Sequence, residues 1–364
     1  MTPPEDAAFS EDAVRLQAGD GTEALVVPSA GAVCARCRTP VAGGWAHLLA
    51  PIASREAVRE RPTSVGGFPI LYPHPGRHRV PLRWQGEAIT PPGVGGEALP
   101  GHGFAAGAAW TVVHRSPSGV TCRLDSRDVA GADAVWPWPA VLTAGYRLSP
   151  RTLEFELEIE SRADRPAPLM PGLHPYFPLR FRESDAASPE AARQTCAVWV
   201  EAGELWALER GAATGDVVPV AGALDLNRPR SVASIEDHFG GKMPVQLYGR
   251  RDALESAARG AAGGPADATA APGGVTSGVW DRAAGLAVTF EISRAFGTVA
   301  LYRPPDPLRL SLEPRAALPD ALAVAAARPG LPTGLRSLAP GARARFWARL
   351  TLTRRPADGA GSPA

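Results

Sequence analysis

One histidine has unusually restricted backbone surroundings. His174 lies in the segment MPGLHPYFPL at positions 170–179. Proline fixes its own φ angle and biases the residue before it towards an extended conformation, so Pro175 restrains His174 while Pro171 and Pro178 stiffen the two ends. Histidine is the side chain best suited to proton transfer near neutral pH. We therefore expect this imidazole to be positioned for chemistry.

A carboxylate offers the complementary chemistry. Glu313 ends the apolar pattern LSLEP at positions 310–314, and the following proline places it near the end of a predicted strand. A partly desolvated carboxylate is a better proton acceptor near neutral pH. Glu313 and His174 could thus act as base and acid on opposite sides of a substrate, although each residue taken alone is more often structural.

Two further polar side chains lie in loops rich in glycine and proline. Arg77 ends the sequence PHPGR within the predicted loop 65–79, and His102 precedes Gly103 at the end of a second loop, 89–103. Long irregular loops with large polar groups often carry function. The sequence has no Walker loop, dinucleotide fingerprint, HExxH motif or nucleophile elbow, which argues against the common nucleotide-binding, zinc-protease and hydrolase classes.

The elements that must hold these residues are mostly strands. Residues 153–160 alternate four apolar residues with four glutamates, which predicts a strand with one buried and one solvated face. Helices are predicted only at 250–259 and 317–327. Many short strands with Gly/Pro turns indicate an all-β antiparallel sandwich or barrel. The other predicted strands are 23–28, 32–38, 45–50, 112–114, 120–124, 141–148, 196–200, 245–248, 275–280, 286–292, 298–302, 308–313 and 346–353.

Composition sets the remaining limits. The 364 residues carry a formal charge of +1, which gives no electrostatic argument for nucleic acid or an anionic membrane. No window is apolar enough to span a membrane, and the acidic N-terminus does not resemble a signal peptide. Cys34 and Cys37 have CxxC spacing without a second ligand pair, so we expect reduced structural cysteines in a cytoplasmic protein.

We expect a single domain with loose ends. Its predicted bounds are 15–355, with a flexible insertion at 260–274 that is rich in Gly, Ala and Pro. Residues 1–14 and 356–364 are expected to be a loose N-terminal tail and a disordered C-terminal tail.

Four segments, in order, resemble the aldose 1-epimerase (galactose mutarotase-like) family over roughly residues 20–355. They are GGFPILYP…GR at 66–77, HGF at 102–104, HPYF at 174–177 and EP…PDA at 313–321. The segment SIEDHF at 234–239 is also similar to an acidic segment of that family. The resemblance implies a large antiparallel β-sandwich, the galactose mutarotase-like supersandwich, with few short helices and a concave face that binds a sugar.

The resemblance also implies roles for individual residues. Glu313 would take the proton of the anomeric hydroxyl and His174 would protonate the ring oxygen, so that the ring opens and recloses on either face. Arg77 and His102 would hold hydroxyls or the ring oxygen, and Asp237 would bind a hydroxyl pair, with its neighbour Glu236 as the alternative. The implied substrate is a small sugar, and neither a metal nor another cofactor is needed because both steps are proton transfers.

Some residues depart from the family pattern, and two other functions stay open. Leu173 and Pro178 stand where the family often has asparagine, and the sequence after Glu313-Pro314 is Arg-Ala-Ala where a polar stretch is usual. A hexose-6-phosphate 1-epimerase is the first alternative, with Arg180 and Arg182 as candidate phosphate ligands. The second is a non-catalytic carbohydrate-binding or sensing protein, because one fold hosts many functions. The sequence does not indicate the natural sugar or the oligomeric state.

Overall fold

The computed structural model describes residue 9 and residues 13–241, 244–260 and 274–356. Strands dominate these residues, and every named strand pair is antiparallel. The strands are β1 (Val14–Gln17), β2 (Glu23–Val27), β3 (Val33–Val41), β4 (Gly44–His47), β5 (Ile70–Leu71), β6 (Leu82–Trp84), β7 (Glu87–Ile89), β8 (Thr111–Ser116), β9 (Gly119–Asp125), β10 (Ala140–Ser149), β11 (Thr152–Ser161), β12 (Ala167–Leu169), β13 (Gly172–Leu173), β14 (Tyr176–Pro178), β15 (Cys196–Val200), β16 (Glu204–Glu209), β17 (Ala212–Pro219), β18 (Arg230–Ser231), β19 (Gln246–Gly249), β20 (Val275–Asp281), β21 (Leu286–Ile292), β22 (Thr298–Tyr302), β23 (Arg309–Arg315), β24 (Arg336–Leu338) and β25 (Arg343–Arg354).

The helices of the described residues are short. They are α1 (Arg55–Glu60), α2 (Ala132–Val135), α3 (Pro189–Thr195), α4 (Val232–His238), α5 (Arg251–Gly260) and α6 (Ala321–Ala327), with 3-10 turns at Ala105–Gly107, Ser126–Asp128 and Gly222–Leu224. None of the helices in these parts of the chain is long and apolar enough to cross a membrane.

Two large sheets form the sandwich. One has nine strands in the order β18-β15-β20-β21-β25-β11-β10-β9-β8, and the other has the order β17-β16-β19-β22-β23-β13-β5, with β14 also paired to β23. Their inner faces share one hydrophobic cluster. Phe177 of β14 meets Phe290 of β21 there, with ring centroids 5.5 Å apart. The all-β supersandwich with few short helices is thus confirmed.

The alternating strand shows why the sheets pack in this way. In β11, Leu153, Phe155, Leu157 and Ile159 are buried in the cluster. The glutamates between them lie on the solvent side, where Glu154 and Glu158 pair with arginines of β25. The prediction of a solvated acidic face is therefore confirmed. A one-residue slip in register would expose the apolar row, so this alternation fixes the pairing.

Several local predictions are corrected by the structure. The second predicted helix, 317–327, begins only at Ala321, because Asp320 before it has a left-handed backbone with φ of 59°. The hairpin of β16 and β17 was not predicted, although Arg210-Gly211 at its tip, with φ of 51° and 84°, is a turn sequence. Helices α1 to α4 were also not predicted, since each has at most seven residues.

The predicted ends and insertion fall mostly outside the described residues. β1 already begins at Val14, and Phe9 is buried against β2 and β3. Gly260 ends α5 and Gly274 precedes β20, whereas 261–273 and 357–364 are not described.

All four cysteines are buried free thiols. Cys34 and Cys37 lie in β3, and burial raises the pKa of Cys34 to about 12.

Candidate active site

His174 and Glu313 face each other across a gap in the sheet. Strands β13 and β14 both pair with β23, and the chain between them, His174-Pro175, interrupts the ladder because proline has no backbone N–H. The register on either side of the gap is continuous, and it places His174 opposite Glu313. His174 Nε2 lies 3.2 Å from Glu313 Oε1. The flanking partners in this register are Gly172 with Arg315 and Tyr176 with Ser311.

The His174 ring is fixed on several sides. Its side chain is 4% exposed and that of Glu313 is 2% exposed. The ring stacks on Tyr176 with centroids 4.7 Å apart, and Tyr302 meets it edge-on at 5.9 Å. The backbone N–H of His174 donates to the carbonyl of Pro69. Two aromatic rings and this backbone hydrogen bond thus hold the imidazole in place, and the positioning role of the flanking prolines stays a prediction.

Ser311 holds the other ring nitrogen. Its Oγ lies 2.7 Å from the carbonyl oxygen of Pro175 and 3.0 Å from His174 Nδ1. A carbonyl oxygen only accepts, so the single hydroxyl proton of Ser311 is donated to Pro175, and Oγ accepts from the ring. His174 therefore carries a proton on Nδ1, and the contact between Nε2 and Glu313 needs one further proton that either group can hold.

Arg315 holds the second oxygen of Glu313. Its Nη2 donates to Glu313 Oε2 at 2.7 Å, and the two side chains are 7% and 2% exposed. Glu313 is thus held between a guanidinium and an imidazole, with one carboxylate oxygen directed to each. Both contacts fix the direction in which the carboxylate can accept a proton.

His102 completes the cluster of rings. Its centroid lies 5.4 Å from that of His174, and its Nδ1 accepts a hydrogen bond from the N–H of Gly76 at 3.2 Å. The neutral ring therefore bears its proton on Nε2 and can donate it. Gly103 after it has φ of 70°, and an added Cβ there would lie 2.2 Å from the Tyr72 carbonyl oxygen, so this tight turn requires glycine.

Burial disfavours the charged form of these histidines. It lowers the pKa of His174 to about 3, with the charge of Arg315 as the next cause. It also lowers the pKa of His102 to about 3, helped by the neighbouring His174. His74 and His78 lie beside this group, and burial lowers the pKa of His74 to about 4.

Arg77 lies at the edge of this group. It is exposed and follows Gly76, whose N–H bonds to His102. The Arg77 side chain lines a cavity of about 500 Å³ together with Arg79, Arg210 and Arg328. The structure therefore places Arg77 one residue from the buried cluster, in the lining of a cavity that carries several charged side chains.

The acidic segment on α4 divides into a buried and an exposed carboxylate. Glu236 is 6% exposed and forms ion pairs with Arg193 at 3.0 Å and with Arg303 at 2.7 Å. Arg303 directly follows Tyr302, the residue that meets the His174 ring. Asp237 is exposed. Of the two carboxylates that the sequence left open, the structure buries Glu236 and connects it to the strand beside His174.

Sequence reasoning missed Ser311 and Arg315 as parts of this site. Both lie on β23, where Ser311, Glu313 and Arg315 alternate with Leu310, Leu312 and Pro314. Because side chains alternate between the faces of a strand, the three polar residues share one face. This period of two was visible in the sequence, but the partner strand was not.

Comparison with known protein families identifies the family of this chain. A family model described as aldose 1-epimerase matches residues 12–351. The chain belongs to the aldose 1-epimerase family. This aldose 1-epimerase family member gives no significant match among curated protein sequences.

Solved structures share the fold of this family member at low identity. A galactose mutarotase-like protein from Clostridium acetobutylicum is similar with a TM-score of 0.72, 18% identity, and coverage of 94% of this chain and 95% of that one. A GalM/aldose epimerase homologue from C. elegans has a TM-score of 0.70, 16% identity, and coverage of 94% and 99%. A galactose 1-epimerase from Lactobacillus acidophilus NCFM has a TM-score of 0.66, 13% identity, and coverage of 94% of both chains.

Proposed function

We propose that this family member is an aldose mutarotase, which interconverts the α and β anomers of a hexose by opening and closing the sugar ring. The observation that carries the proposal is the contact of 3.2 Å between His174 Nε2 and Glu313 Oε1. An acid and a base that share one proton, in a site shielded from water, are what this reaction requires, because ring opening removes one proton from the sugar and returns another.

In the proposed mechanism, ring opening proceeds from the form of the pair in which Glu313 is a carboxylate and His174 an imidazolium, a form that burial of the ring disfavours. Glu313 takes the proton of the anomeric hydroxyl while His174 Nε2–H protonates the ring oxygen. The bond between the anomeric carbon and the ring oxygen breaks, which gives the open-chain aldehyde. Rotation about the adjacent carbon–carbon bond presents the other face. Closure then runs with neutral His174 as base and protonated Glu313 as acid, so the pair always holds one shared proton.

Other residues would orient the sugar. His102 can donate its Nε2 proton to a sugar oxygen, because its Nδ1 is already occupied by the N–H of Gly76. Arg77 would bind a hydroxyl from the edge of the site. For the hydroxyl pair, we favour Glu236 over Asp237, because Glu236 is buried and pairs with Arg303, the residue after Tyr302, whereas Asp237 is exposed. The proposal includes a cytoplasmic location, which the four free buried thiols support.

A panel of free and phosphorylated sugars tests the proposal. Polarimetry of freshly dissolved α-glucose, α-galactose and other aldoses should show mutarotation faster than in buffer for at least one of them. Equality with the buffer rate for every sugar, together with measurable sugar binding, would instead indicate a non-catalytic carbohydrate-binding protein.

A phosphorylated sugar is the second candidate substrate, but the arginines that would bind its phosphate are not the ones that the sequence suggested. Arg180 and Arg182 donate to the backbone carbonyls of Ala187 and Ala284. The cavity at Arg77 carries four arginines, although Glu97, Glu209 and Asp320 also line it. A preference for the 6-phosphate that is lost in Arg210→Ala would favour this function.

A further inference from the structure

We propose that Ser311 is a positioning residue that fixes the tautomer of His174, and thereby makes His174 and Glu313 a pair that shares one proton. The catalytic consequence rests on the proposed function; the tautomer itself does not. Ser311 touches neither a reacting atom nor the site proposed for the sugar. It acts through the ring nitrogen that faces away from Glu313.

The position of Ser311 follows from the sheet. It lies on β23 two residues before Glu313 and directly opposite Tyr176 in the ladder. Side chains two apart on a strand share a face, so the serine and the carboxylate approach the same imidazole from neighbouring positions. Ser311 is fully buried. The partners of its hydroxyl are therefore protein groups, the Pro175 carbonyl and His174 Nδ1.

The direction of each hydrogen bond follows from the donors available. The Ser311 hydroxyl has one proton, and the Pro175 carbonyl at 2.7 Å only accepts, so the hydroxyl donates there. Its lone pair then faces His174 Nδ1 at 3.0 Å, and that nitrogen must be the donor. The Pro175 carbonyl belongs to the residue that follows His174. The chain thus ties the serine to the same turn that carries the ring.

The consequence appears at the other ring nitrogen. With Nδ1 always protonated, Nε2 bears a proton only in the imidazolium. The pair therefore has two hydrogen-bonded forms: imidazolium with carboxylate, or neutral imidazole with carboxylic acid. These are the two forms that alternate in the proposed reaction. Without Ser311, the ring can adopt the neutral form with its proton on Nε2, which donates to the carboxylate and is a poor acid.

Side-chain nitrogen NMR on the full-length protein labelled with ¹⁵N-histidine tests the tautomer directly. The His174 signals are assigned by their loss in His174→Gln, and exposed His238 provides an internal control. In the wild type, Nδ1 should be protonated, whether or not Nε2 is. In Ser311→Ala, the neutral ring should carry its proton on Nε2. A wild-type His174 with unprotonated Nδ1, or a Ser311→Ala spectrum like the wild type, would overturn the proposal.

Activity provides the second arm. Loss of a correctly protonated general acid should lower kcat of Ser311→Ala by about 10- to 1000-fold with little change in KM. Ser277→Ala, which removes another fully buried serine hydroxyl, should keep near wild-type kcat. A Ser311→Ala enzyme that matches Ser277→Ala would contradict the catalytic role.

The two arms separate failure of this proposal from failure of the proposed function. If the wild type has no mutarotase activity but its Nδ1 proton is lost in Ser311→Ala, Ser311 positions the ring and the proposed function is wrong. If the wild type is active but Nδ1 is unprotonated, only the Ser311 proposal is wrong. Since the wild-type spectrum alone decides the tautomer, the test stands even if Ser311→Ala does not fold.

Discussion

The buried ion pair between Arg315 and Glu313 gives a sharp test of the site's electrostatics. Its atoms lie 2.7 Å apart, and the side chains are 7% and 2% exposed. Arg315→Met keeps most of the apolar stem but leaves the Glu313 carboxylate with only His174 as a partner. Removing one member of a buried pair costs about 3–5 kcal/mol of unfolding free energy, because the other charge stays buried.

A matched exposed pair provides the control. Arg349 and Glu154 lie opposite each other on the outer face, 3.4 Å apart, with side chains 45% and 29% exposed. Exposed pairs contribute about 0–1 kcal/mol, since water and salt screen the charges. Arg349→Met should thus be less destabilising than Arg315→Met by roughly 2 kcal/mol or more.

Urea denaturation at pH 7.5 measures both variants. Adding Glu313→Gln to Arg315→Met should restore part of the lost stability, because no buried charge then remains without a counterion. Equal stability of the two arginine variants, or a double variant less stable than Arg315→Met, would refute the buried pair as the structure describes it.

Two other predictions concern the buried histidine and the acidic segment. The pKa of His74 is lowered to about 4 by burial, so the unfolded chain binds a proton that the folded chain does not, and stability falls as pH drops from 6.5 to 4. The glutamine in His74→Gln cannot bind this proton in either state. The difference in unfolding free energy between the wild type and His74→Gln should therefore shrink by about 3 kcal/mol from pH 6.5 to pH 4 in urea titrations. An unchanged difference would contradict burial of a neutral ring. Glu236→Gln should raise KM by about tenfold or more through loss of a charge-assisted hydrogen bond, whereas exposed Asp237→Asn should leave KM nearly unchanged; the reverse order would restore Asp237 as the sugar ligand.

The sequence predicted the architecture where a strong local pattern existed. The alternation at 153–160 predicted β11 to within one residue at each end, and 286–292 and 298–302 coincide with β21 and β22. Burial alternates every two residues along β11 and along the second half of β21, and β22 is a short, almost continuously buried apolar run; each pattern is a signal in one segment of chain. Short helices and the β16–β17 hairpin have no such repeat, because turns and neighbouring elements hold them in place.

For the site, the sequence identified His174 and Glu313 as the pair but not their neighbours. Restricted backbone around His174 and the proline after Glu313 were local signals. The contacts of Ser311 depend on the register between β14 and β23, whose residues are more than 130 positions apart, and the contact of Arg315 with Glu313 forms between neighbouring positions on one face of β23. Glu236 is buried and Asp237 is exposed. Composition alone does not show which of two adjacent residues on a short helix faces inward.

The central claim, that His174 and Glu313 act as one acid–base unit, is tested most directly by a double-mutant comparison of anomer interconversion. Polarimetry would compare the wild type, His174→Gln, Glu313→Gln and the double variant on the best sugar of the panel. Each single replacement should lower kcat by about 10²- to 10⁴-fold, and the double variant should be no slower than the slower single variant, because either change already breaks the shared-proton pair. Single variants with wild-type rates, or losses that multiply in the double variant, would contradict the claim.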